Sequence, residues 1–213
     1  MIIPRPGPSD SLLVVEGKTD LHVVRHLSER SDPSLAFGIQ DYEGIDNVLG
    51  SIHGHIDTPD RPAVGFVMDS DDNVRQTWLR VRGEFSRAAR PIRLPDSPDP
   101  NGTIIAGDPG VGGPRIGIWL MPNNSADGEL ENFVADMIPT NDPVWPLSQQ
   151  YIDGIPTSHR KFAPGKTIRA QVHAWLATLA DPRLMGQAIG FGDLSITGQL
   201  TQTFLRWLSR LFR

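Results

Sequence analysis

At 213 residues the chain is long enough for one well-buried domain, or for one domain with a helical appendage. It contains no cysteine, which removes disulfides, thiolate zinc sites and a cysteine nucleophile together and fits a reducing cytosol. Lys and Arg number 20 against 25 Asp and Glu, a net charge of −5, so nucleic acid is not held here by phosphate neutralisation alone; any such contact is local, bridged by metal or shared with a partner.

The chain opens on Met1-Ile2-Ile3-Pro4-Arg5-Pro6-Gly7-Pro8, without the basic-then-apolar layout of a secretory signal. Nowhere does an apolar window of about 18 residues offer a membrane span, so the expected setting is cytoplasmic with no membrane partner. Residues 11–15 read as a short buried strand. A helix over 18–30 follows, with Leu21, Val24 and Leu27 on the face that covers a sheet. Residues 35–42 form a second strand, 47–55 a short helix, and 63–68 a third strand. A helix over 73–89 carries Val74, Trp78, Val81 and Phe85 on one stripe with arginines opposite. This strand–helix alternation predicts βαβ units and a mainly parallel sheet, an α/β fold.

Residues 91–114 are rich in Pro, Gly and Asp and hold at best two short edge strands. Residues 115–121 read as a further strand and 128–138 as a helix. Beyond Pro139 only loops and helices are expected, the helices at 166–179, 183–189 and 199–212. The last has Leu200, Phe204, Trp207, Leu208 and Leu211 on one face, with Arg206, Arg210 and Arg213 elsewhere. That face fits core or lid packing, with a homodimer or partner interface as the alternative. The cleanest boundary falls within 139–160, giving a main domain over 1–138 and a helical extension over 139–213 packed on it.

Two acidic clusters stand where strands should end. In Val14-Val15-Glu16-Gly17-Lys18-Thr19-Asp20 an apolar run stops on a carboxylate and a helix begins; in Val64-Gly65-Phe66-Val67-Met68-Asp69-Ser70-Asp71 another run ends in an Asp-x-Asp pair. Ligands of open α/β sheets bind beyond the carboxyl ends of parallel strands. Glu16 and Asp20 can face the same edge, and Asp69 and Asp71 would share a face if strand geometry persisted. Acids in that position often serve only as helix caps or turn formers. Two clusters on two βα units outweigh that reading and suit one or two hard divalent cations.

Glu16-Gly17-Lys18-Thr19-Asp20, followed some fifty residues later by Asp69-Ser70-Asp71, resembles the Toprim domain shared by topoisomerases, bacterial primases, RNA-maturation nucleases and overcoming-lysogenization-defect nucleases. The resemblance covers roughly residues 10–138. It implies a compact sheet that sets the glutamate loop beside the Asp-x-Asp loop and binds magnesium. The finer likeness is to the overcoming-lysogenization-defect type and to stand-alone Toprim-like bacterial proteins. These carry an acid four residues after the glutamate, matched by Asp20, and a leucine–glutamate step at a helix start, matched by Leu130-Glu131. Their later lysine is matched by Lys166, with Lys161 close enough to leave the choice open. Met121-Pro122-Asn123-Asn124 and the helical tail also resemble the stand-alone proteins. One departure is Val74, where many Toprim enzymes have a glycine; it weakens the match to the topoisomerase and RNA-maturation branches most. Absent cysteines exclude the zinc-bearing branches, and the size, with only Tyr42 and Tyr151 as tyrosines, excludes a topoisomerase clamp.

The resemblance implies a metal-dependent nuclease acting on DNA or RNA. Glu16, Asp20, Asp69, Asp71 and Glu131 would hold Mg2+ or Mn2+; Glu16 would alternatively be the general acid or base, and Lys166 would neutralise the transition state. It also implies a setting in phage defence and a separately encoded ATPase as partner, and leaves a non-catalytic or ATPase-gated module as the rival. Other signals carry less. Gly17-Lys18-Thr19 lacks the upstream glycine of a phosphate loop, since that position is Leu12. The glycine-dense run 107–113 precedes a strand rather than a helix and reads as a hairpin or surface loop. His22 and His26 have zinc-like spacing but no third ligand, and His53 and His55 are no better.

Overall fold

The computed structural model describes residues 2–3, 6–7, 9–89, 92–107 and 113–213; most of the glycine-dense run at 107–113 lies outside them. Alternating apolar runs and amphipathic stretches build β1 (Ile2–Ile3), β2 (Leu12–Val15), α1 (Lys18–Ser31), β3 (Phe37–Asp41), α2 (Ile45–Ile56), β4 (Ala63–Asp69) and α3 (Val74–Arg87). Then come β5 (Thr103–Ile105), β6 (Arg115–Met121), α4 (Leu130–Ala135), α5 (Trp145–Asp153), α6 (Thr167–Leu176), α7 (Met185–Phe191) and α8 (Gln199–Phe212). The strands form one six-stranded sheet in the order β1-β3-β2-β4-β6-β5. Every pairing is parallel except that of β5 with β6. The fold is therefore α/β, with a mostly parallel sheet flanked by helices.

Helices cover both faces, so β2 throughout and β4 up to its terminal Asp69 carry no polar side chain rather than alternating with polar residues. Side-chain alternation still sorts them. Leu13, Val15, Val67 and Trp119 enter one core with α1, α4, α6, α7 and α8, whereas Leu12, Val14, Phe66 and Ile118 enter the other with α2 and α3. The helices beyond Pro139 thus share a core with the strands. On that face Gly65 and Gly117 are register partners, and a Cβ on either would press into the Leu211 side chain, at 2.6–2.8 Å from neighbouring atoms for Gly65 and 2.5 Å for Gly117. Two bare backbones side by side make the trough in which the terminal helix lies. Phe204 and Trp207 of α8 then pack on Trp119, ring centroids 5.1 and 5.6 Å apart.

Three elements differ from the sequence expectation. α5 falls in a stretch read as loop: it has a proline in its first turn, and Leu147 and Tyr151 are exposed, so no apolar stripe marks it. β1 is two residues long, too short for a period to show. α4 begins at Leu130 rather than Gly128, because Gly128 has φ +144° and Glu129 is extended as the N-cap. No helix among the described residues is long and apolar enough to cross a membrane.

Candidate metal centre

Parallel register brings three turns to one rim. Val15 of β2 lies opposite Val67 of β4, and Asp69 at the end of β4 lies opposite Met121 at the end of β6. Glu16 follows β2 directly and Asp20 sits in the first turn of α1. The Asp69 backbone N–H donates to Glu16 Oε2 at 3.1 Å, joining the first two turns. The β4–α3 turn is joined to the β6–α4 loop through the backbone: Asp71 N–H donates to Gly128 O at 2.8 Å, and Gly128 N–H returns to Asp71 O at 2.7 Å. Buried Ser70 adds its Oγ to Ala126 O at 2.9 Å.

Six carboxyl groups meet at this rim: Glu16, Asp20, Asp69, Asp71, Glu129 and Glu131. One oxygen each from Asp69, Asp71 and Glu129 lies within 4.8 Å of the others, a spacing that one metal ion can bridge. A cleft of about 390 Å3 on one side is lined by Glu16, Asp20, Asp69, Glu131, Arg169 and His173. Another of about 360 Å3 is lined by Asp71, Asp127, Glu129 and Lys166. Lys166 Nζ donates to Glu129 Oε2 at 2.6 Å and to Asp71 Oδ1 at 3.3 Å. Arg169 Nε donates to Glu131 Oε1 at 2.7 Å, and its Nη2 to Glu129 Oε2 at 3.3 Å.

Those two cations do not neutralise the set. Burial, reinforced by Asp20, Glu16, Glu131 and Asp71, pushes Asp69 up to about 9. Burial with Glu16 beside it pushes Asp20 up to about 7. Glu16 is also raised, chiefly by burial, although the Asp69 N–H works against the shift. Asp20 Oδ1 and Glu129 Oε1 are buried without a hydrogen-bond partner. Crowded, partly unsatisfied carboxylates are what a cation would relieve, and an all-oxygen donor set fits a hard divalent ion.

A family model matches residues 10–213. The chain belongs to the DUF3226 family, described as protein of unknown function. No curated protein and no solved structure matches it.

In this DUF3226 chain the expected acids do converge, though not by the expected route at Asp71. Strand geometry ends at Asp69, and Asp71 has φ +48°; its carboxylate reaches the cluster through a turn pinned to Gly128 rather than by sharing a strand face. Glu16 bonds Asp69, and Asp20 and Glu131 are close enough to raise its affinity for a proton. Of the two lysines left open, Lys166 is the one at the site. Two members escaped the sequence reading. Glu129 carries no sequence signal, because its place depends on the extended N-cap conformation, where it forms a capping box with Asn132. Arg169 follows Lys166 by one helical turn, a spacing that was available as a signal. Val74 offers its N–H to Asp127 Oδ1 at 2.8 Å, so this position is also tied to the β6–α4 loop. Lys18 is an exposed partner of Glu43 at 3.9 Å, and both border the cleft lined by Glu16, Asp20 and Asp69. His26 faces Glu29 at 3.4 Å on its own helix, which accounts for it without a metal.

Proposed function

We propose that this chain is a Toprim-type, divalent-cation-dependent nuclease that hydrolyses phosphodiester bonds in nucleic acid, in the phage-defence setting the sequence resemblance implies. The observation that carries this reading is the meeting of Glu16 with Asp69 and of Asp69 with Asp71 and Glu129, from separate turns, at one rim of a parallel sheet. Asp69, Asp71 and Glu129 would hold one Mg2+ or Mn2+ ion, and Glu16, Asp20 and Glu131 line the position for a second. When bound, such an ion supplies charge stabilisation on phosphoryl oxygens and orients the attacking water and the leaving oxygen. Arg169 holds Glu129 and Glu131 in place. Glu16, whose burial favours its protonated form, is suited to general acid–base work at the same centre. Lys166 would set its positive charge against the negative charge that gathers on the phosphoryl oxygens in the transition state.

The test sets purified protein with Mg2+ or Mn2+ on plasmid, single-stranded DNA and RNA beside Asp69→Ala and Glu16→Ala. Cleavage that depends on metal and vanishes in both variants is expected; cleavage that survives either removes the assignment. A second reading, an ATPase-gated or non-catalytic module, is favoured by the ion pairs that already engage Asp71, Glu129 and Glu131, together with the net charge of −5. Metal binding without cleavage, with cleavage restored by an ATPase encoded nearby, would select it.

A further inference from the structure

We propose that Lys166 is a built-in counter-ion of the Asp69–Asp71–Glu129 set, expelled when a divalent cation enters and thereby freed to meet a phosphate. This regulation rests on the metal-centre reading above. Its ammonium straddles two of the three carboxylates that the ion would use, at 2.6 Å from Glu129 Oε2 and 3.3 Å from Asp71 Oδ1. The sister oxygen, Glu129 Oε1, is buried and unpartnered in a side chain only 3% exposed. A dication taking up that oxygen would lie a few ångströms from the ammonium, where like charges repel strongly at the reduced effective dielectric of a half-buried site.

Of the groups involved, the lysine is the one built to leave. Glu129 is fixed by its capping box, and Asp69 accepts the Leu130 N–H at 2.9 Å. Arg169 grips Glu131 and Glu129 through a planar fork. Lys166 sits in a 3-10 turn just before α6, its side chain is 36% exposed, and its neighbours Ala163, Pro164 and Gly165 are exposed. Its flexible stem opens onto the 360 Å3 cleft. The exchange would couple two affinities. Without metal, the rim's own acids consume the positive charge that a polyanion needs; with metal, that charge is returned to the surface beside the ion.

The chain has only three lysines, Lys18, Lys161 and Lys166; Lys18 borders the 390 Å3 cleft, whereas Lys161 borders neither cleft and serves as the internal reference. The full chain is treated with an amine-acetylating ester at fixed pH, with and without Mn2+, and labelling is read by peptide mass spectrometry. Parallel calorimetry reports Mn2+ binding to the unmodified chain and to Lys166→Met. Mn2+ should speed Lys166 labelling several-fold while leaving Lys161 unchanged. Lys166→Met should bind Mn2+ about tenfold more tightly, since one opposing charge has gone. Unchanged Lys166 labelling in a sample that calorimetry shows to be metal-loaded overturns the exchange and leaves the metal centre standing, as does Lys166→Met binding no tighter than the unmodified chain. Absence of Mn2+ binding to the unmodified chain overturns the metal centre and the exchange with it.

Discussion

Asp69 accepts a hydrogen bond from Leu130 N–H, yet four other carboxyls act on it. Folded Asp69 and Asp20 keep their protons up to about 9 and about 7, whereas the unfolded chain releases them near the ordinary aspartate value of about 3.9. Between those limits the folded state binds more protons than the unfolded one, so these groups make stability fall as pH rises. In chelator, the Tm measured by scanning fluorimetry should drop from neutral pH towards pH ~9, and saturating Mn2+ should flatten that drop because the ion takes the protons' place. Asp69→Asn keeps the shape and the acceptor for Leu130 N–H while removing the charge. Its metal-free Tm at alkaline pH should rise by a few degrees, the response expected from about 1 kcal/mol in a chain of this size. The Mn2+-induced rise should vanish. Glu16 and Asp69 were legible because each closes an apolar run, and Asp71 because it completes an Asp-x-Asp pair with Asp69. Glu129 was not, since nothing in Gly128-Glu129-Leu130 declares that the backbone there is extended and that α4 starts one residue later.

Among the elements, α8 shows where legibility ended. Its apolar stripe of Phe204, Trp207, Leu208 and Leu211 was readable from helical spacing, and all four residues are buried. What receives the stripe was not readable, because Gly65 and Gly117 lie fifty residues apart and look like interruptions of good strands. Only the β4–β6 register sets them side by side under Leu211. Gly117→Val should therefore force α8 off the sheet, costing about 1–3 kcal/mol as an overpacked core position. Denaturant unfolding gives the loss directly, and faster tryptic cleavage after Arg206 or Arg210 would show that it is local to α8; unchanged stability and cleavage would refute the trough. α5 was illegible for the opposite reason: the stretch is helical but turns Leu147 and Tyr151 to solvent, so no buried face marks it.

For the molecule as a whole, the metal rim sets the slope of the stability profile and a distant histidine offsets part of it in acid. Burial, with Arg61 nearby, pushes His55 down to about 4. Its Nε2 lies 2.7 Å from the Tyr42 hydroxyl, and its ring rests near Phe66. The unfolded histidine takes its proton near pH 6.5, so stability is lost as pH falls from there towards about 4. The two effects oppose each other below about 6.5, and above it the rim acts unopposed. A metal-free profile that keeps rising to pH ~9 would contradict the carboxyl assignments; His55→Gln should steepen the gain in stability as pH falls from about 6.5 to 4, and an unchanged slope there would contradict His55. The backbone exchange between Asp71 and Gly128 has a separate consequence. It involves no carboxylate, so the outline of the cradle does not depend on the charge it carries. Replacing the acids by their amides should leave a seat of the same shape, whereas Gly128→Ala should warp it with every acid intact, since a methyl there would meet Asn132 Oδ1 at 2.6 Å. Form and charge can thus be altered one at a time.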